Sequence, residues 1–324
     1  MRRVLIVGCG NIAGGFDAER PANLPPLTHA GAFTRHGGFH VEACVEPDAE
    51  RRAAFMRRWG IAHGFDDLAG AAAAYPLGRF DVVSLCSPTQ THAEQVEAAL
   101  AMKPRLVFCE KPVTPTLAQT EALVQRCAAA GVPLAVNHTR RWAPDVQRLA
   151  AELRAGAWGA VRSAVGTYNK GVLNNGSHLV DLLHLLLGPM TLLDAGAALA
   201  DHWPDDPTVP ALLQTAGGIP VHLNTAHAAD CAIFELQLIT ATAVIAMEDG
   251  GLQWRVRRVI DSPHFRHYRV LDSGERTAGE YLQATQRAVA NLHAHLTHGE
   301  PLASTGASAL AAQRLCEEIR LKAL

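Results

Sequence analysis

Three groups of residues in this sequence have the types and spacing to do chemistry. The first, Gly8-Cys9-Gly10-Asn11-Ile12-Ala13, follows the wholly apolar run Val4-Leu5-Ile6-Val7. Such a run reads as a strand buried on both faces, as a parallel sheet requires. Glycines after it let the chain turn sharply and let bare backbone approach a ligand. A helix opening at Gly10 would aim its unpaired amides and its dipole at a diphosphate. The spacing G-x-G-x-x-A is a variant of the dinucleotide-binding turn, with Gly8, Gly10, Asn11 and Ile12 as contacts. A glycine-rich turn that binds nothing is the plain alternative. The second group, Glu110-Lys111-Pro112, holds a lysine at a strand end, where it can take a proton as the free amine or polarise a carbonyl as the ammonium. The third is His178 with Asp181, three apart at a helix start and therefore on one face. His178 suits proton transfer, and Asp181 suits orienting it or binding a hydroxyl. The plain alternative is a capping region in which Ser177 caps and His178 packs.

The elements that must position these residues alternate between strand and helix from residue 1 to 136. Strands are expected at 39–45, 61–62, 80–86, 105–109 and 132–136, with helices at 49–59, 67–74, 91–102 and 116–130. This alternation marks a doubly wound parallel sheet, whose ligands lie at the carboxyl ends of the strands. Ser87-Pro88-Thr89, Glu110-Lys111-Pro112 and Asn137-His138-Thr139-Arg140-Arg141 all follow strands and share that edge. Ser87, Pro88, His92, Glu110 and Lys111 are accordingly expected at the cofactor. Glu46 ends the second strand, where an acidic residue accepts from ribose hydroxyls and repels the extra phosphate of NADP. It favours NAD, while Arg51 and Arg52 keep NADP as the alternative. Residues 15–28 carry Pro21, Pro25 and Pro26, cannot continue a helix, and read as an insertion beside the cofactor that can cover it.

Composition narrows the function class. A chain of 324 residues with 48 % hydrophobic side chains supports two cores, expected as domains 1–136 and 137–324. A net charge of −2 gives no electrostatic case for nucleic acid or an acidic membrane. The seven cysteines form no CxxC pair and read as buried free thiols, so no metal is expected. The leucine-rich stretch at 179–187 contains Asp181 and His184 and is no membrane span. The first strand opens almost at once, leaving no signal peptide, and a cytoplasmic location is expected.

Beyond residue 190 the pattern turns to β. Strands are expected at 191–199, 211–215, 219–227, 231–239, 242–248, 252–260 and 265–271, with closing helices at 279–298 and 306–322. The whole is an α/β fold: a Rossmann domain followed by an α+β domain with an open, mostly antiparallel sheet.

The glycine turn, Glu110-Lys111-Pro112 and Gly176-Ser177-His178-Leu179-Val180-Asp181 together resemble the glucose–fructose oxidoreductase / inositol dehydrogenase (Gfo/Idh/MocA) family, in the family's order and spacing. The resemblance implies that Lys111 stands at the reacting oxygen, that the Lys111–Pro112 bond is cis, and that sheet faces mediate a homodimer or homotetramer. The common motif has an acid four positions before the histidine, where this chain has Asn174. An amide binds a hydroxyl but takes no proton, so acid–base work falls on Lys111 and His178. Tyr168 and Lys170 are candidate replacements, and Arg140 is a candidate substrate contact.

The activity so implied is hydride transfer between a nicotinamide and the hydroxyl or keto carbon of a sugar, cyclitol or derivative. Lys111 would then need its proton affinity lowered from about 10.4 towards 7–8 to act as base. Two alternatives remain at this point: tightly held NAD that drives elimination or hydrolysis, and a non-catalytic dinucleotide-binding sensor or assembly subunit.

Overall fold

The computed structural model describes residues 1–323. They form two compact units, one of residues 1–142 and 282–310, the other of 143–281 and 311–323.

The first unit is built on six parallel strands: β1 (Arg2–Val7), β2 (Phe39–Val45), β3 (His63–Phe65), β4 (Val82–Leu85), β5 (Leu106–Cys109) and β6 (Leu134–Val136). Their order is β3-β2-β1-β4-β5-β6, so the order reverses between β1 and β4. Between them run α1 (His29–His36), α2 (Ala49–Trp59), α3 (Leu68–Ala74), α4 (His92–Ala101) and α5 (Leu117–Ala129). Side chains that stop and start helices do so here: Thr28 caps α1, Asp48 caps α2, Asp67 caps α3 and Thr116 caps α5. The apolar run of β1 is explained by its two buried faces. Val4 and Ile6 join Phe33, Phe39, Phe108 and Trp142 on one side, while Leu5 and Val7 join Val83, Leu85 and Val107 on the other.

The expected division after residue 136 differs from this packing at two places. Trp142 belongs to the first core, and its indole N–H donates to Asn291 Oδ1 at 3.0 Å. Residues 282–310 return to the first unit because Ala288, Val289, Leu292 and Leu296 complete the apolar layer beside Phe33 and Phe39.

The second unit opens with α6 (Pro144–Arg154), β7 (Val161–Tyr168), a π-helical turn (Gly171–Gly176) and α7 (Ser177–Leu187). Then follow β8 (Met190–Ala195), β9 (Leu199–Trp203), β10 (Asp206–Thr208), β11 (Ala211–Thr215), β12 (Pro220–Thr225), β13 (Phe234–Thr240), β14 (Ala243–Glu248), β15 (Gln253–Asp261), β16 (Arg269–Leu271) and β17 (Glu275–Ala278). The large sheet runs β16-β15-β14-β13-β7-β12-β11-β8, with β17 on β15; only β7 and β12 pair in parallel. Alternate residues of β7, β13 and β14 are buried, as expected for a sheet with one packed face. The expected strand 191–199 is two strands, and 265–271 shortens to 269–271. The hairpin partner β10 and the edge strand β17 carry no alternation and were not expected. The closing helices are α8 (Ala284–His298) and α9 (Gly306–Ala323).

Candidate active site at the strand ends

The glycine turn sits at the reversal of strand order. Gly8 has φ +87°, and its N–H donates to Val45 O at 2.8 Å. A side chain there would strike the Ser87 backbone, at 2.7 Å from its nitrogen, so β1 and β4 ends close together only with glycine. A Cβ on Gly10 would meet nothing within 4 Å; that position faces open space. Gly8, Glu46, Arg51, Ser87 and Pro88 line one cleft of about 580 Å³ at the carboxyl ends of β1, β2 and β4. This edge has the features a dinucleotide needs: bare backbone, a helical turn whose first amides have no partner within the turn itself, and room.

The helix expected at Gly10 is present but split. Gly14 N and Gly15 N donate to Gly10 O, and Phe16 N donates to Asn11 O, which makes one turn. The chain then leaves and returns at α1, where His29 N donates to Ile12 O and Ala30 N to Ala13 O. His29 lies 17 positions after Ile12, and an α-helical bond spans four, so thirteen residues are looped out of an otherwise continuous helix. The loop is tied down. Asp17 accepts from the amides of Leu27 and Thr28 and from the Thr28 hydroxyl. Arg58 donates to the carbonyls of Asp17 and Ala18, and Arg35 to those of Ala22 and Leu24. The insertion thus packs on α1 and α2 rather than covering the cofactor cleft; none of its residues lines that cleft.

Glu46 is 5 % exposed. Its Oε2 accepts from Cys9 N at 3.0 Å, and its Oε1 accepts from Asp48 N and Arg51, both at 3.2 Å. It braces the glycine turn as well as facing the cleft.

His92 departs from expectation. It is fully buried, with Nε2 2.9 Å from Ser87 O and Nδ1 3.1 Å from Pro112 O and Val113 O. Buried between two turns, it cannot reach a cofactor; it ties the Ser87 turn to the segment that carries Lys111.

Lys111 follows β5, half-buried, with a cis bond to Pro112. Beneath it, Glu110 is part of a network that the sequence did not reveal. Glu110 Oε1 lies 2.9 Å from His29 Nε2 and accepts from Asn137 Nδ2 at 2.6 Å; Glu110 Oε2 accepts from Lys111 N at 3.3 Å. His29 Nδ1 lies 2.7 Å from Ser84 Oγ, and its ring stacks on Phe108 at 4.5 Å. Burial works against the imidazolium, but the Cys86 sulfur and the Glu110 carboxylate favour it, and the His29 pKa is raised to about 10. Burial likewise works against the Glu110 carboxylate, yet His29, Asn137 and Lys111 hold its pKa below the usual value. Glu110 is therefore the centre of a buried charge network, and only 13 % of its side chain is exposed.

In the second unit, Tyr168, Lys170, Asn174, His178 and Asp181 all lie on the continuous segment from β7 through the π turn into α7. Tyr168 is not a substrate contact. It is fully buried, its hydroxyl donating to Val209 O at 2.7 Å and accepting from Val209 N at 3.2 Å. Lys170 is half-buried with φ +65°, and Asp201 accepts from its amide at 2.6 Å. Gly171 (φ +90°) passes so close to Asp206 that a side chain there would strike the carboxylate. Asp206 accepts from the amides of Leu173 and Asn174, both at 2.8 Å. Asn174 Nδ2 donates to Lys170 O at 3.1 Å. Ser177 does not cap α7; its hydroxyl donates back to Asn174 O. His178 is half-buried and Asp181 is buried. Arg140 is half-buried in the first unit, and Ile12 packs against the first unit's core, which leaves only its backbone for the cleft.

Residues 2–138 match a family model described as an oxidoreductase family with an NAD-binding Rossmann fold. The D-apiose dehydrogenase of Paraburkholderia graminis is 32 % identical over 187 residues, 52 % of this chain and 49 % of that protein. The D-glucoside 3-dehydrogenase of Escherichia coli is 26 % identical over 204 residues, 59 % of this chain and 54 % of that protein. The chain thus spans about half the length of the curated relatives it matches. The WlbA dehydrogenase of Bordetella pertussis, solved with NADH and UDP-GlcNAcA, shares the fold: TM-score 0.77 at 19 % identity, covering 99 % of this chain and 96 % of that one.

Proposed function

We propose that the chain is a member of the Gfo/Idh/MocA oxidoreductase family and an NAD(P)-dependent dehydrogenase acting on a hydroxyl or keto carbon of a sugar, cyclitol or sugar derivative. The observation that carries this reading is the shared edge: the Gly8 turn and Ser87 shape the cleft, and Lys111 stands one strand further along the same sheet edge. Sugar dehydrogenases among its relatives support the substrate class.

Gly8, Gly10, Asn11 and the backbone of Ile12 would hold the diphosphate, Glu46 the ribose nearest it, and Ser87 and Pro88 the far side of the cleft. NAD is the preferred cofactor, because the Glu46 carboxylate lines the cleft and would repel the extra phosphate of NADP. When bound, the nicotinamide supplies the hydride acceptor or donor. Lys111 takes the hydroxyl proton during oxidation and returns it during reduction, and Glu110 holds the lysine's backbone amide. His178 is the second proton-transfer candidate, with Asn174, Asp181, Lys170 and Arg140 as candidate contacts for sugar hydroxyls. The dinucleotide is assigned to the first unit, residues 1–142 and 282–310, and substrate and subunit contact to the second. A cytoplasmic homodimer or homotetramer is the expected assembly, checked by light scattering.

The test is direct. NADH binding is followed by fluorescence, and a panel of aldoses, glycosides and inositols is screened for NAD reduction. Lys111→Ala is expected to keep cofactor binding and to lower turnover at least 100-fold. Undiminished turnover would remove Lys111 from the mechanism.

A further inference from the structure

The frame under Glu110 has no part in the reading above, yet it is the most heavily bonded group of buried polar side chains near Lys111. It gathers residues from four elements: His29 at the first position of α1, Ser84 and Cys86 at the end of β4, Glu110 after β5, and Asn137 after β6. His29 is fully buried, and the looped-out segment before it is what brings it back over the sheet at the fourth position after Ile12 of the interrupted helix.

We propose that His29 is a positioning residue for Lys111: held between Ser84 and Glu110, it compensates the Glu110 carboxylate, so that Lys111 faces a neutral ion pair instead of a bare anion and gives up its proton more readily. The proposal rests on the acid–base role assigned to Lys111 above. Its physical basis is simple. A carboxylate within about 4–6 Å of an ammonium holds the proton on it by one to three units. Lys111 is the next residue in the chain, and its backbone N–H donates to Glu110 Oε2 at 3.3 Å, which anchors the lysine beside that carboxylate. Without a second cation, Glu110 would lock Lys111 as a permanent ammonium, useful as an electrophile and useless as a base. With His29 charged and Asn137 donating to the same oxygen, the carboxylate is already paired. The other groups facing the pair are Ser84, the Asn137 amide, whose Nδ2 lies 3.3 Å from His29 Nε2, and the Cys86 and Cys109 sulfurs, of which Cys86 also favours the imidazolium; none is a cation. The raised His29 pKa and the lowered Glu110 pKa agree with an ion pair that persists at neutral pH. The stacking of the His29 ring on Phe108 fixes the plane in which Nε2 meets Glu110.

The experiment reads Lys111 itself, in the full-length protein without cofactor or substrate. Reductive methylation with formaldehyde and cyanoborohydride is run from pH 6 to 11, and the Lys111 peptide is quantified by mass spectrometry to give its titration midpoint. His29→Gln is expected to raise that midpoint by about one unit or more. An unchanged midpoint in a His29→Gln protein of wild-type circular dichroism overturns the proposal. Should that variant not fold, nitrogen-15 NMR of the wild-type histidines decides: His29 is expected to remain an imidazolium at pH 8, and a neutral ring at pH 7 overturns the proposal. The outcomes separate from those of the enzymatic reading. An active Lys111→Ala protein sinks the base role whatever the midpoint does. An inactive Lys111→Ala protein with no midpoint shift in His29→Gln sinks only the role of His29.

Discussion

Asp17 Oδ2 accepts from both the amide and the hydroxyl of Thr28, at 2.9 and 2.6 Å, and so closes a loop that begins and ends within one helix. Thr28 in turn caps α1, so the clasp and the helix start are one structure. Asp17→Ala would leave buried donors of Leu27 and Thr28 without a partner, at a cost of about 2–4 kcal/mol in urea unfolding. Deleting Gly14 to Pro26 removes the need for the clasp and sets His29 four positions after Ile12. That deletion is expected to fold and to bind NADH within about threefold of wild type, a difference of under about 1 kcal/mol. A deletion protein that does not bind NADH would show that the loop builds the cofactor site.

The pH dependence of stability follows from the signs of the two shifts. His29 has a folded pKa raised to about 10, against about 6.5 unfolded. Its contribution is fully present below about pH 6.5 and is lost as pH rises towards 10, at no more than about 1.4 kcal/mol per unit. Glu110 is shifted down, so its contribution is present above the usual carboxylate range and is lost as pH falls through its folded pKa. Urea midpoints measured from pH 4 to 10 should therefore form a plateau bounded on both sides. The alkaline decline should be shallower in His29→Gln, the buried thiols raised above their ordinary range supplying the remainder.

Glu46 links the cofactor cleft to the glycine turn through Cys9 N. Glu46→Ser removes the charge that disfavours an added phosphate and frees Arg51, which lies 3.2 Å from Glu46 Oε1. The ratio of NADPH to NADH affinity is expected to rise at least tenfold, with NADH binding itself weakened. Fluorescence titration with both nucleotides checks it, and an unchanged ratio would mean that the cleft reads the ribose through other groups.

Much of this architecture was legible because it is written in periodicity. The all-apolar β1 and the glycines after it, the strand–helix alternation, and the helix at 49–59 each have a local physical cause. Hairpins of the second unit were legible wherever one face is buried; β17 has none, all four of its residues being exposed. The site was less legible, for a different reason. His29 and Glu110 are 81 positions apart, and the thirteen-residue excursion hides the helical register that joins His29 to the glycine turn. His92 and Tyr168 carry polar groups at the right places in the chain, but the direction of a side chain depends on packing, which turned both into buried struts.

Tyr168→Phe separates a strut from a substrate contact. The buried hydroxyl both donates to and accepts from Val209, so its loss leaves two backbone groups unpaired and should cost about 1–3 kcal/mol in thermal or urea unfolding. NADH binding should be unchanged. A variant of full stability with a raised KM for substrate would return Tyr168 to the substrate site.

Asn174 stands where the resemblance to the Gfo/Idh/MocA family implies an acid, and its surroundings explain the amide. Its Nδ2 donates to Lys170 O, while Asp206 already accepts from its backbone N–H and that of Leu173. A carboxylate at this position cannot donate to the Lys170 carbonyl, and it would add a second negative charge beside Asp206, which reaches this turn from β10. Asn174→Asp is therefore expected to destabilise the protein by about 1–2 kcal/mol at pH 8, with the loss shrinking as the carboxyl protonates below about pH 4. Turnover should not rise, because the turn is built around an amide donor rather than around a missing acid. The decisive comparison is Asn174→Asp with Asn174→Asp/Asp206→Asn, unfolded in urea at both pH values. With Asp206→Asn alone as the control, a smaller cost of that substitution in the Asn174→Asp background means that the Asp206 carboxylate is what excludes an acid at 174; an equal cost in both backgrounds leaves the lost bond to Lys170 as the cause.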